Sequence, residues 1–77
     1  MSEQAYTIAA NVRRMRLQKK LSQENLADIV GLPQPRISEL ESARGNPTTR
    51  TLATIAEALE TTVAALVTPT EKGDNHV

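Results

Sequence analysis

The chain lacks cysteine, phenylalanine and tryptophan, and holds a single tyrosine among its 77 residues. Without cysteine it can form neither a disulfide framework nor a thiolate metal site. Without aromatics its core must be built from Leu, Ile, Val, Ala and Met, which suits short packed helices better than a β-sandwich. No apolar run approaches the roughly 20 residues that a membrane-spanning helix needs. The N-terminal stretch does not read as a charged segment followed by an apolar one, so a secretory leader is not indicated and a cytoplasmic protein is expected. The single histidine, His76, sits in a polar terminal stretch. Neither a metal site nor a Ser–His–Asp constellation is expected there, and no enzyme or cofactor reading finds support.

Net charge is zero, with nine Lys or Arg against nine Asp or Glu. The charges are not evenly spread. Residues 13–50 carry eight of the nine cations (Arg13, Arg14, Arg16, Lys19, Lys20, Arg36, Arg44 and Arg50) and only four acids, Glu24, Asp28, Glu39 and Glu41. That segment is therefore +4, and the compensating acids lie mostly beyond it. A domain with one basic side would show this distribution, and so would an ordinary solvated surface. A chain of this length suffices for one domain with a small core, for which dimerisation would add stability.

The pattern that organises the chain runs from Ser22 to Glu41. It reads as two short helices broken at Gly31. Ala27 is small where a second helix must pass close. Gly31 can take positive φ and let the chain turn sharply. Ile37 is the apolar knob with which the second of the two packs back, and Leu26, Val30, Leu32 and Leu40 complete the inward positions. This is the spacing of a helix-turn-helix, whose second helix can enter the DNA major groove.

The flanks extend the reading. Residues 1–6 are expected to be a flexible N-terminus, 7–69 a folded domain and 70–77 a disordered tail. A first helix is expected from about Thr7 to Lys20, with Ile8, Val12 and Met15 inward, Leu17 off that stripe and Leu21 closing the face. Ser22 should cap the second helix, with Asn25 leaving the capping box incomplete. Ile29 should lie away from the core. Pro33 and Pro35 fit only the first turn of the third helix, where N–H groups have no intrahelical partner. Counting 100° per residue puts Ile37 and Leu40 inward. Pro35, Ser38, Glu39 and Ser42 fall opposite, with Gln34 at their N-terminal flank. Arg44-Gly45-Asn46-Pro47 is a turn by composition. Thr48 should cap a fourth helix, ending near Glu60, with Leu52, Ile55, Ala56 and Leu59 as its stripe. Thr62 should cap a short fifth helix that Pro69 stops.

From about Ile8 to Val67 the chain resembles the phage repressor and Cro type of helix-turn-helix protein, the XRE family. The residues that carry the likeness are Leu21 to Ala27, Gly31-Leu32, Ile37-Ser38, Glu41, Asn46-Pro47-Thr48, Leu52, Ile55-Ala56, Ala58-Leu59 and Leu66. The resemblance implies an all-α, compact five-helix, lambda-repressor-like fold with the helix-turn-helix at helices 2 and 3. It implies binding of double-stranded DNA as a homodimer, with Gln34, Pro35, Arg36, Ser38 and Glu39 facing bases or flanking phosphates. Gln23, Arg44, Asn46, Thr48, Thr49 and Arg50 would hold the phosphate backbone. A helix start such as that at Gln23 is an anion site by its own chemistry. Ala27, Gly31 and Ile37 would hold shape, and Arg16 would pair internally with Glu41 rather than touch DNA.

Three departures stand out: Pro33 replaces a capping Ser or Thr, Pro35 replaces a polar reader, and Glu60 stands where glycine is common and would be mildly strained in the left-handed region. The function implied is a sequence-specific regulator, more a repressor than an activator, on a palindromic operator. A phage-type repressor and a restriction–modification controller both fit. The alternative is an antitoxin that binds a protein toxin. The dimer surface expected is helix 5 with the junction before it.

Overall fold

The computed structural model describes residues 3–70. Five helices follow one another: α1 (Glu3–Gln18), α2 (Gln23–Val30), α3 (Gln34–Glu41), α4 (Thr49–Ala58) and α5 (Val63–Val67). α1 packs on α3 and α5, α2 on α3 and α4, and α4 on α5. Each helix sends one side chain to the centre with 0% exposure: Val12, Leu26, Ile37, Ile55 and Leu66. Burying such a side chain is worth about 1.5–3 kcal/mol, so a chain without large aromatics still has a common core. Met15, Leu21, Val30, Leu32, Val63 and Val67 pack around it, half-buried. Leu17 and Ile29 lie outside it, both exposed. Among the described residues, no helix is long and apolar enough to cross a membrane.

α1 starts at Glu3, not Thr7. Residues 3–7 contain neither proline nor glycine, and Glu3 places an acid in the first turn, where the helix dipole favours it. Residues 71–77, His76 among them, lie outside the described region. Thr70, assigned to the tail from sequence, instead hydrogen-bonds to Asn11: its hydroxyl donates to Asn11 Oδ1 at 3.2 Å. Asn11 is 2% exposed. Its amide nitrogen donates to the carbonyls of Ala65 (3.2 Å), Leu66 (2.8 Å) and Thr68 (3.0 Å), so a side chain from α1 satisfies the end of α5. The Arg14 guanidinium donates to Asn11 Oδ1 at 2.8 Å and to the Thr70 hydroxyl at 3.1 Å.

Four helices end in the same way, through a residue with positive φ. After α2 it is Gly31 (φ 75°), as expected from sequence; after α1, α3 and α4 it is Lys20 (58°), Ala43 (61°) and Glu60 (59°). In each case the following N–H returns to the last turn: Leu21 to Arg16 O, Leu32 to Ala27 O, Arg44 to Glu39 O and Thr61 to Ala56 O, at 2.8–3.1 Å. These bonds satisfy carbonyls that a helix end leaves open. Three of the four turns therefore carry a side chain where glycine would be unstrained. Lys19 forms an ion pair with Glu60 beside two of these turns. The Lys19 hydrogen bond and charge hold the exposed Glu60 carboxyl below its usual range.

α1 is fixed to α3 by the expected pair. Arg16 Nε donates to Glu41 Oε2 at 2.6 Å and Nη2 to Oε1 at 2.9 Å. Nη1 donates to the carbonyl of Leu21 at 2.7 Å. The two side chains are only 9% and 3% exposed. Hydrogen bonding to Glu41 holds the Arg16 guanidinium above its ordinary pKa, against desolvation that pulls it down.

The helix ends and the buried ion pair make three predictions about stability. Lys20→Gly removes a left-handed strain at an exposed site and is expected to stabilise the fold by about 0.5–1 kcal/mol, after the added chain entropy of glycine. Gly31→Ala should cost about 1 kcal/mol through φ alone, since a Cβ there would meet nothing within 4 Å. Chemical denaturation of both variants checks the opposite signs. Arg16→Met leaves Glu41 buried without its cation and should cost about 3 kcal/mol or more, seen as a lower denaturation midpoint.

Candidate nucleic-acid interface

α3 is eight residues long and buries Ile37 and Leu40. Its other side carries the residues singled out from sequence: Pro35, Arg36 and Glu39 are exposed, and Gln34 and Ser38 are half-buried. Pro33 is the N-cap, with φ −65° and no side-chain hydrogen bond, and Pro35 occupies the first turn. The prolines thus sit where their missing N–H groups cost nothing. The Arg36 N–H bonds the Pro33 carbonyl at 2.9 Å, tightening that turn.

α2 presents its start beside the start of α3. Ser22 caps it, its hydroxyl accepting from Asn25 N at 2.9 Å. The capping box is complete rather than broken: the Ser22 N–H donates to Asn25 Oδ1 at 3.2 Å. Asparagine, one methylene shorter than glutamine, still reaches. The box uses two of the four open amides, those of Ser22 and Asn25. The Gln23 and Glu24 N–H groups have no intramolecular partner among the described residues, and the dipole there favours an anion.

Gln23 and Gln34 are joined: Gln34 Nε2 donates to Gln23 Oε1 at 2.7 Å. Gln23 Nε2 donates in turn to Glu41 Oε1 at 3.1 Å. Read from sequence, these were separate residues with separate roles. Nothing in their spacing of 11 positions marks the contact, which depends on how α2 and α3 cross.

At its other end α3 borders a cleft of about 230 Å³. The cleft brings together Arg36 and Glu39 of α3, Arg44, Gly45 and Asn46 of the following loop, and Thr51 of α4, over a floor that includes Leu32, Ile37 and Ile55. Thr51 was not singled out from sequence, although it lies three residues after the Thr48 cap. The Thr48 hydroxyl accepts from Thr51 N at 3.1 Å, with Thr49 and Arg50 exposed in the first turn of α4. Among the described residues Arg36, Arg44 and Arg50 have no acidic partner, so three cations beside the outward side of α3 and at the start of α4 are free to meet an external anion. Glu39 is the one acid in the cleft. Arg16 is spent on Glu41 and Arg14 on Asn11 and Thr70. Among the described residues, no group of three or more His, Cys, Asp or Glu could hold a metal ion.

Comparison with known proteins agrees with this geometry. The family model described as helix-turn-helix, HTH_3, matches residues 12–66. An uncharacterized HTH-type transcriptional regulator, y4dJ of Sinorhizobium fredii, is 40% identical over 65 residues, which span 84% of this chain and 84% of that one. The control protein C.SmaI of Serratia marcescens is 44% identical over 61 residues, 79% of this chain and 73% of that one. The crystal structure of the restriction-modification controller protein C.AhdI from Aeromonas hydrophila superposes with a TM-score of 0.77 at 27% identity, covering 80% of this chain and 94% of that one. A family match over most of the chain and regulators alike along most of both lengths show that the chain belongs to the HTH_3 helix-turn-helix family of DNA-binding transcriptional regulators.

Proposed function

We propose that this regulator is of the restriction–modification controller type, binding a palindromic operator as a homodimer and repressing from it. The observation that carries the reading is the outer side of α3. Gln34, Pro35, Arg36, Ser38 and Glu39 stand clear of the core there, next to cations that no acid among the described residues neutralises. The controller assignment takes its support from C.SmaI and C.AhdI, whose matches span most of both chains.

Gln34 offers an amide that can pair with adenine N6 and N7, and Arg36 reaches guanine or a phosphate. Ser38 bonds either partner of a base pair. The small apolar surface of Pro35 suits a thymine methyl, and Glu39 accepts from cytosine N4. The start of α2 at Gln23, the loop residues Arg44 and Asn46, and the start of α4 at Thr48, Thr49 and Arg50 hold phosphates. Backbone contacts supply most of the affinity and its salt dependence, and α3 supplies discrimination. Two copies related by a two-fold axis would place their α3 helices about 34 Å apart, one turn of the duplex. The dimer surface we assign is α5 with the turn before it, where Ala64 is exposed and Val63, Ala65 and Val67 are half-buried. Operator binding would place the protein on the nucleoid. An antitoxin role, with a protein toxin as partner, draws no support from the relatives, whose names describe a regulator and a control protein.

Selection of bound sequences from random DNA tests the reading, and the expected product is a site with two-fold symmetry. Recovery of unsymmetrical or random sequences would refute it. Gln34→Ala should cost about 1–3 kcal/mol at one base pair of each half-site, with little change on non-specific DNA. Arg44→Ala should weaken all sequences alike and reduce the salt slope by about one, as read by titration at several salt concentrations.

A further inference from the structure

α1 has an outer side that the rest of the described fold leaves uncovered. Among the described residues three large apolar side chains are exposed, and two of them, Tyr6 (57%) and Leu17 (53%), lie on this helix. They stand three helical turns apart and so share one side. Ala10 and Arg13, both exposed, fill the stripe between them. The steps from Tyr6 to Ala10 to Arg13 to Leu17 follow the spacing of a helix-pairing seam. The stripe borders a shallow groove of about 560 Å³ whose far wall includes Ser42 and Ala43, at the end of α3. None of the residues assigned to DNA or to the α5 surface lines this groove. Glu3, Arg13 and Lys20 have no ion-pair partner among the described residues.

The stripe is complementary to its own reverse. In an antiparallel pair whose register sets position 6 against 17, position 10 meets 13 and position 3 meets 20. Bulky then meets bulky, Tyr6 against the partner's Leu17. The smallest side chain, Ala10, meets the longest, the partner's Arg13. That arginine lays its methylenes on the alanine and turns its guanidinium toward the ring of Tyr6, one turn away. At the ends Glu3, in the first turn of α1, meets the partner's Lys20, just beyond the last turn. Acid faces base there, each at the helix end where the dipole favours it. Run parallel, the stripe would set like charges together, Glu3 on the partner's Glu3 and Arg13 on the partner's Arg13.

We propose that the outer side of α1 is a second self-association surface, on which another copy of this chain packs its own α1 antiparallel, with Tyr6 against the partner's Leu17. The contact is isologous, the same patch serving both copies. It is separate from the α5 surface and does not depend on it. With both in use, α1 joins two α5-linked pairs while α3 stays open to DNA. A single pair of helix stripes is far smaller than the 20–30 residues a side of a standard interface. The association is therefore weak, with a Kd of about 0.1–1 mM, and forms where copies are already concentrated.

The chain has no cysteine, so introduced cysteines report the register. Glu3→Cys and Lys20→Cys leave Tyr6 and Leu17 in place. Treated with a short bismaleimide at about 0.3 mM protein, the two variants should cross-link when mixed. The yield should be at least about threefold above that of either alone, because like positions lie about 25 Å apart in the antiparallel pair. Equal yields from either variant alone would overturn the arrangement, and so would the absence of any cross-link. Adding Leu17→Glu to both variants should cut the mixed yield at least about threefold, and Tyr6→Glu should act alike. Both sites are exposed, so thermal melts should show folded chains. The same cut is expected in an Ala64→Glu background, which disables the α5 surface, so failure of the α5 dimer leaves this test standing. If the mixed yield survives both Leu17→Glu and Tyr6→Glu, the contact lies elsewhere and the proposal is refuted.

Discussion

The guanidinium of Arg16 is the point on which the arrangement of α1, α2 and α3 depends. It sends two bonds to Glu41 on α3 and one to the Leu21 carbonyl in the turn leading to α2. A planar fork can hold a carboxylate and a carbonyl at once; a lysine ammonium could not match both in that geometry. Taking the two charges out of water carries a large desolvation cost, and full hydrogen bonding offsets it. The bonding is full: among the described residues no buried side-chain nitrogen or oxygen lacks a partner. An apolar pair could match its stability, but it would not specify the rotation of α3 about its axis, and that rotation sets which residues face outward.

The same economy appears at the helix ends. Short helices need tight returns, and four of them use a left-handed residue. Only Gly31 does so without steric strain. It lies between α2 and α3, the two helices of the helix-turn-helix. At Lys20, Ala43 and Glu60 the fold tolerates side chains because the returning hydrogen bonds and the packed core over-determine the turn. Asn11 plays the matching role at the far end of the chain. Its amide meets two carbonyls of a five-residue helix too short to hold itself and the carbonyl of its C-cap, Thr68.

Much of the fold was legible because its signals are local. The caps Ser22, Thr48 and Thr62, the glycine at 31, the prolines at 33 and 35 and the apolar stripes each act within a few residues, and all lie where expected. Periodicity places the start of α1 four residues late, since a polar first turn carries no periodic signal. Residue type alone hides the Asn25 half of the capping box, because the shorter side chain still reaches the Ser22 N–H. Asn11 left a trace: it is the polar residue among the inward positions Ile8, Val12 and Met15. A polar group on that side needs partners, but the carbonyls that its amide nitrogen meets lie 54 or more positions away.

The sequence by itself determined the helix count, the helix-turn-helix, the inward set and the outward set of α3, because periodicity and capping are properties of neighbouring residues. It also pointed, through resemblance, to the Arg16–Glu41 pair. Only the tertiary structure decided which polar groups bond one another. The joining of Gln23 to Gln34 and Glu41, the docking of Thr70 and Arg14 on Asn11, and the cleft that sets Thr51 beside Arg36 and Arg44 all depend on how helices cross. A hydrogen bond is set by distances of tenths of an ångström and by the direction of its donor, and spacing along a chain contains neither.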